Sequence, residues 1–253
     1  ESVTAAGVRA VSQAIAKFYS NPLPFILTSK GIEKDSALFL PEVALEQLGS
    51  KWQSYIGCIS GPSHAEELIN KIPTCVAATF YDENLFPIIE KLFALPYFHL
   101  YPEKDWRGVC FGGSMKNIIA ILCGIIDGLG LGINTKAVMM TYGLKELSLL
   151  APSKKALAET LQGIAGLGDL LVTCNSSLSR NYRFGYKLAQ GASASQAQKD
   201  IGMVVEGAYT CQTAYNLAQK SGFSVPLIYA VYAIICQNAP VRETIDKLFQ
   251  ELS

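Results

Sequence analysis

Along residues 1–105 the apolar positions change period several times. A helical spacing over 5–19 predicts a helix, and Phe25-Ile26-Leu27-Thr28 then reads as a short strand buried on both faces. Helical patterns at 36–48, 64–70 and 83–93 alternate with apolar runs at 55–60, 74–80 and 97–101. Short apolar strands between helices predict a parallel α/β sheet. From Asp105 onward the strand pattern stops. Helical periodicity covers 107–129, 134–150, 153–164, 179–190, 193–200, 206–220, 226–236 and 240–251, with Gly, Pro and Asn as punctuation. The fold class expected is α/β followed by all-α, with one domain over 1–105 and an all-helical one over 106–253.

The first long helical segment carries an anomaly. Gly112-Gly113-Ser114-Met115-Lys116-Asn117 leads straight into the apolar run Ile118–Ile126. At ~100° per residue, Ala120, Cys123 and Asp127 share the face of Lys116, while Ile118, Ile121, Leu122 and Ile125 lie opposite. That small-residue stripe is expected to form one wall of a cleft. The helix carries an ammonium ahead of this run. A Lys on so apolar a surface must find a partner or titrate, and either outcome makes Lys116 a candidate acid or base. The plain alternative is a Lys reaching solvent from a helix end, or one paired for structural reasons.

Bulk properties narrow the function. Of the 253 residues, half are hydrophobic and 17% charged, enough for a substantial core. Lys plus Arg equals Asp plus Glu at 21 each, so no basic footprint points to nucleic acid. The longest apolar run, Ile118–Ile126, is well short of ~20 residues, so no membrane span is expected. The cysteine count, seven, is odd, and no C-x-x-C occurs. That pattern suits reduced core thiols in the cytoplasm, and with only two histidines no metal site is expected.

Further polar residues sit where chemistry is commonly placed. Thr28-Ser29-Lys30-Gly31 closes the first strand, and Ser60-Gly61-Pro62-Ser63-His64-Ala65 closes the second and opens a helix. In open α/β sheets ligands bind at such strand ends, though ordinary solvated turns look much the same. Asp169 and Thr173 would share a face if the segment between them is helical. Ser179 reads as an N-cap, placing Arg180 and Asn181 in a first helical turn. An Arg there opposes the helix dipole, which makes sense if an anion docks, or if the Arg reaches a neighbouring acidic side chain. Gly202-Met203-Val204-Val205-Glu206-Gly207 is either a loop for a close contact or a plain helix start.

This two-domain order resembles a dinucleotide-dependent dehydrogenase, yet no G-x-G-x-x-G follows a strand before residue 105. The glycines at 128–132 and 163–168 follow helical runs and are read as helix termination and close packing. The chain also begins with Glu1. Both points lead to the expectation that an N-terminal βαβ unit is missing.

Seven segments, in order, resemble the bacterial-type NAD(P)-dependent glycerol-3-phosphate dehydrogenases: residues 28–33, 60–65, 112–121, 124–132, 165–174, 179–185 and 201–207. The resemblance implies a partial Rossmann-type domain followed by a helical substrate domain. It also implies interconversion of sn-glycerol 3-phosphate and dihydroxyacetone phosphate with NAD or NADP, supplying glycerol 3-phosphate for phospholipid synthesis. Lys116 matches the family's catalytic Lys, with Asp169 and Thr173 beside it. Lys30, Gly61, Ser63, Ser179, Arg180 and Asn181 match substrate contacts, the last three at the phosphate. Lys30, Ala65, Arg180, Val204 and Glu206 match cofactor contacts. Cys110-Phe111 and Tyr142 depart from residues common in the family. A cytoplasmic location is expected, and the apolar helical half suits a homodimer. Two alternatives are a β-hydroxyacid dehydrogenase of the 6-phosphogluconate type, disfavoured by the adjacency of Lys116 and Asn117, and an inactive self-associating fragment.

Overall fold

A computed structural model describes residues 1–34 and 36–252. The chain divides into two compact units, Glu1–Gly113 with Lys155–Asp169, and Ser114–Lys154 with the residues from Leu170 onward.

The first unit opens with a short 3-10 turn and α1 (Val8–Phe18), followed by β1 (Phe25–Leu27), α2 (Leu40–Leu48), β2 (Ile56–Ser60) and α3 (Ala65–Ile69). β3 (Thr74–Phe80), α4 (Phe86–Phe93) and β4 (Phe98–Pro102) complete it, together with the start of α5 (Trp106–Gly128). α2 begins where Pro41 fixes the backbone, and Glu42 Oε2 accepts from Phe39 N at 2.9 Å, closing the helix entry. The strands lie side by side in chain order, β1-β2-β3-β4.

Alternation along the strands separates two apolar layers. Ile56 and Cys58 of β2 and Ala77 of β3 pack with Leu27, Leu40, Val43 and Trp52. Ile59, Val76, Ala78 and Phe80 pack with Leu85, Ile89 and Leu100 instead. With both faces covered, the strands read as continuous apolar runs. The expected all-parallel sheet is amended on this point. β1–β2 and β3–β4 are parallel, but β2–β3 is antiparallel, with Cys58 opposite Thr79. A run buried on both faces carries no record of strand direction, so the sequence pattern could not distinguish the two.

The second unit is helical: the rest of α5, then α6 (Gly132–Leu150), α7 (Asp169–Asn175, from Leu170 onward), α8 (Arg180–Ala189), α9 (Ala194–Ile201), α10 (Glu206–Ser221), α11 (Pro226–Cys236) and α12 (Val241–Leu252). Met115, Ile118, Ile119, Ile121, Leu122, Ile125 and Ile126 of α5 are all fully buried, as are Ala120 and Cys123. α5 is therefore enclosed on every side along this stretch, the mark of a central helix. By length and composition it could cross a membrane, but its apolar window lies entirely inside the protein. The run-length criterion overlooked this because the helix begins well before Ile118.

One expectation is corrected here. The predicted helix at 153–164 is instead two 3-10 turns, Ala151–Lys154 and Glu159–Gln162, followed by a π turn at Ile164–Gly168. Asp105 Oδ2 holds the segment by accepting from Leu157 N and Thr160 Oγ1, each at 2.8 Å. The helix expected over 107–129 is α5, and the glycine pair lies inside it. The helix starts at Trp106, which puts Lys116 near its middle. Gly113 lacks a side chain because of crowding: an added Cβ would lie 2.5 Å from Ser60 Oγ.

Candidate functional site

In the first unit the candidate residues gather around one carbonyl. Lys30, just beyond β1, donates through Nζ to Gly61 O and to Asp169 Oδ2, both at 2.8 Å. Ser63 Oγ donates to the same Gly61 carbonyl at 3.0 Å. The Asp169 side chain is 3% exposed and that of Lys30 23%, so the pair is largely shielded from water. At such a depth each group needs the other as a hydrogen-bond and ion-pair partner. Gly113, Ser60 and Lys30 also border a small cavity of about 10 Å³, which at most admits a single water. Ser60 Oγ and His64 Nε2 are buried without a hydrogen-bond partner in the same strand-to-helix turn. Ala65, the first residue of α3, is exposed at the end of that turn.

In the second unit Lys116 Nζ donates to Thr173 Oγ1 at 2.7 Å. Both residues are buried. This answers the question the sequence raised: the ammonium is satisfied inside the helical core, one turn along α7 from the start of that helix. The stripe that continues from Lys116 is not a cleft wall, since Ala120 and Cys123 are packed away completely. The Cys123 thiol meets that of Cys174, whose titration is pushed up by burial and by this contact.

Ser179 is the N-cap of α8, and its hydroxyl accepts from Tyr182 N at 3.2 Å. Arg180 and Asn181 therefore occupy the first helical turn. Asn181 Oδ1 accepts from Gly207 N at 2.9 Å, in the first turn of α10. Two helix N-termini are thereby joined, and Glu206 begins the second of them. Gly207 also lies against the Asn117 carbonyl, since an added Cβ there would come within 2.8 Å of it. The residue following Lys116 thus touches the paired helix starts. Among the described residues the Arg180 guanidinium makes no ion pair. A cation left at the positive end of a helix is unfavourable alone and suited to an anion. Val204 lies in the loop between α9 and α10.

The sequence reading missed one polar cluster. Asp127 Oδ2 accepts from Lys136 Nζ at 2.7 Å and from the Tyr182 hydroxyl at 2.6 Å. Its signal was present, because Asp127 closes the Lys116 stripe, but the partners come from α6 and α8 and share no spacing with it. All seven cysteines are free thiols.

An α/β unit holding a Lys–Asp pair, and a helical unit holding a buried Lys beside paired helix N-termini, fit a two-domain dehydrogenase. The family model described as NAD-dependent glycerol-3-phosphate dehydrogenase C-terminus matches residues 105–246, and its N-terminus counterpart matches 1–86. The chain belongs to this family. It is 50% identical over 250 residues to a glycerol-3-phosphate dehydrogenase (NAD(P)+) of Protochlamydia amoebophila, covering 99% of this chain and 75% of the relative. It is 42% identical over 243 residues to one from Staphylococcus epidermidis, covering 96% and 73%. The crystal structure of glycerol-3-phosphate dehydrogenase from Coxiella burnetii superposes with a TM-score of 0.90 at 33% identity, over 98% of this chain and 75% of that one.

Proposed function

We propose that the protein interconverts sn-glycerol 3-phosphate and dihydroxyacetone phosphate with NAD(H) or NADP(H), supplying glycerol 3-phosphate for phospholipid synthesis. The observation that carries this reading is the buried Lys116–Thr173 contact beside the joined starts of α8 and α10. In this reading residues 1–105 belong to the dinucleotide-binding domain and 106–253 form the substrate domain.

The turn after β2 suits the cofactor. It lies at the carboxyl end of a strand, where open α/β sheets bind ligands, and it holds two buried polar atoms without partners, Ser60 Oγ and His64 Nε2. Lys30, Ala65, Arg180, Val204 and Glu206 are the residues proposed to hold the cofactor. When bound, the nicotinamide supplies or accepts the hydride at the substrate C2.

The chain's own groups do the rest. Lys116 exchanges a proton with the C2 oxygen, and its ammonium stabilises the charge that develops there. Thr173 orients that ammonium by accepting one of its protons, leaving others for the substrate. Lys30, held by Asp169, adds positive potential, and Gly61 and Ser63 contact the substrate. Ser179, Arg180 and Asn181 bind the phosphate through a guanidinium fork and helix N–H groups, which anchors C2 for reaction. A cytoplasmic homodimer completes the proposal, and the free thiols support that location.

The test is an assay of the purified full-length protein with NADH and with NADPH. Oxidation that depends on dihydroxyacetone phosphate, and fails with unphosphorylated dihydroxyacetone, is expected. No such dependence with either cofactor overturns the reading.

A further inference from the structure

The start of α8 is held at three points. Ser179 caps it from within, Asn181 ties it to α10, and Tyr182 ties it to α5 through Asp127. Tyr182 stands out because one residue takes part twice: its N–H satisfies the Ser179 cap, while its hydroxyl donates to Asp127 Oδ2. Asp127 in turn is held by Lys136, whose side chain is 8% exposed and whose Nζ lies 5.3 Å from the Tyr182 ring centroid. The carboxylate is neutralised by Lys136, so it adds little net negative charge to a unit that must receive a phosphate. Burial and the bond to Asp127 both push the Tyr182 phenol well above its usual range, so it stays a donor.

The backbone on either side leaves no slack. An added Cβ at Gly124 of α5 would lie 2.0 Å from Tyr182 O, so the two helices touch main chain to main chain at this residue. Tyr182 is thus pinned at its N–H, its carbonyl side and its hydroxyl, two positions beyond Arg180.

We propose that Tyr182, held by Asp127 and Lys136, is a positioning residue for the substrate phosphate, fixing the first turn of α8 so that Arg180 is presented in one orientation. This rests on the reading of Arg180 as a phosphate contact. Tyr182 itself touches no substrate atom. Its effect passes through Arg180, by reducing the disorder that phosphate binding must otherwise remove.

The experiment is a double-mutant cycle in the full-length protein, reading KM for dihydroxyacetone phosphate, kcat and Tm. Tyr182→Phe loses one oxygen and keeps the ring, so it folds if any variant at this site does. It is expected to raise KM about 3–10-fold with kcat within about twofold, and to have no further effect on KM in an Arg180→Ala background. Asp127→Asn, which keeps the shape but weakens the acceptor, is expected to raise KM in the same way and to lose that effect in the same background. An unchanged KM for Tyr182→Phe overturns the proposal. An equal rise in both backgrounds also overturns it, because that is what a merely structural residue gives. An Arg180→Ala variant with wild-type KM instead overturns the phosphate reading beneath it.

Discussion

Lys30 Nζ and Asp169 Oδ2 lie 2.8 Å apart across 139 residues of chain, with the carboxylate almost wholly buried. Replacing Asp169 by Asn leaves the ammonium without its counter-charge while keeping the shape of the site. Breaking one side of a buried pair costs about 3–5 kcal/mol, and the lower end applies because Lys30 is 23% exposed. A loss of roughly 3 kcal/mol in denaturant unfolding, together with severe loss of turnover, is therefore expected. Wild-type stability in Asp169→Asn contradicts the pairing.

A second carboxylate makes stability depend on pH. Glu146 accepts from Leu227 N at 2.8 Å and from Ile228 N at 3.1 Å, capping α11 where Pro226 begins it. Burial pushes its pKa up to about 7 from 4.5, against those two hydrogen bonds, which pull it down. Between these values the folded protein retains a proton that the unfolded chain has lost. Stability is therefore full below pH 4.5, falls as pH rises towards 7 and is level above it. At about 1.4 kcal/mol per pH unit the fall is about 3 kcal/mol. Denaturant unfolding from pH 4.5 to 8 measures it, and Glu146→Gln removes this part of the slope. The same slope in that variant assigns the effect to other groups.

Close helix contact gives a third test. An added Cβ at Gly185 of α8 would lie 1.9 Å from Ile121 O of α5, which is backbone and cannot swing aside. Gly185→Ala must separate the helices and is expected to destabilise by on the order of 3 kcal/mol, the upper range for overpacking. Because α8 carries Arg180, KM for dihydroxyacetone phosphate should rise too. Unchanged Tm and KM show that the crossing tolerates the methyl group.

These cases show why some of the structure was legible in advance. α11 ends where its pattern ended, and Ser179 caps α8 because a short hydroxyl followed by a helical pattern has few other local uses. The order of helices and strands, which depends on local periodicity, was readable. Strand direction at β2–β3 was not, since doubly buried runs look alike either way. The π turn before Asp169 was hidden because Asp105, far away in sequence, holds the segment leading to it. Lys116 was legible as an anomaly inside a helix over 107–129, but residue spacing alone did not pair it with Thr173, which lies 57 residues away on another helix. Asp127 was visible only as the end of a stripe. Its role depends on Lys136 and Tyr182, which three different helices bring together.

The most direct test of the central claim is kcat for dihydroxyacetone phosphate reduction by full-length Lys116→Ala, measured beside wild type with Tm as the control for folding. Removing the ammonium takes away the group that delivers the proton and stabilises the C2 oxygen, while Thr173 can still bond to water. The expected result is loss of turnover by at least about 10²-fold, the low end for general acid catalysis, in a variant that still unfolds cooperatively at a Tm lowered by the cavity. Retention of wild-type kcat would show that Lys116 is a structural residue and would contradict the proposed mechanism.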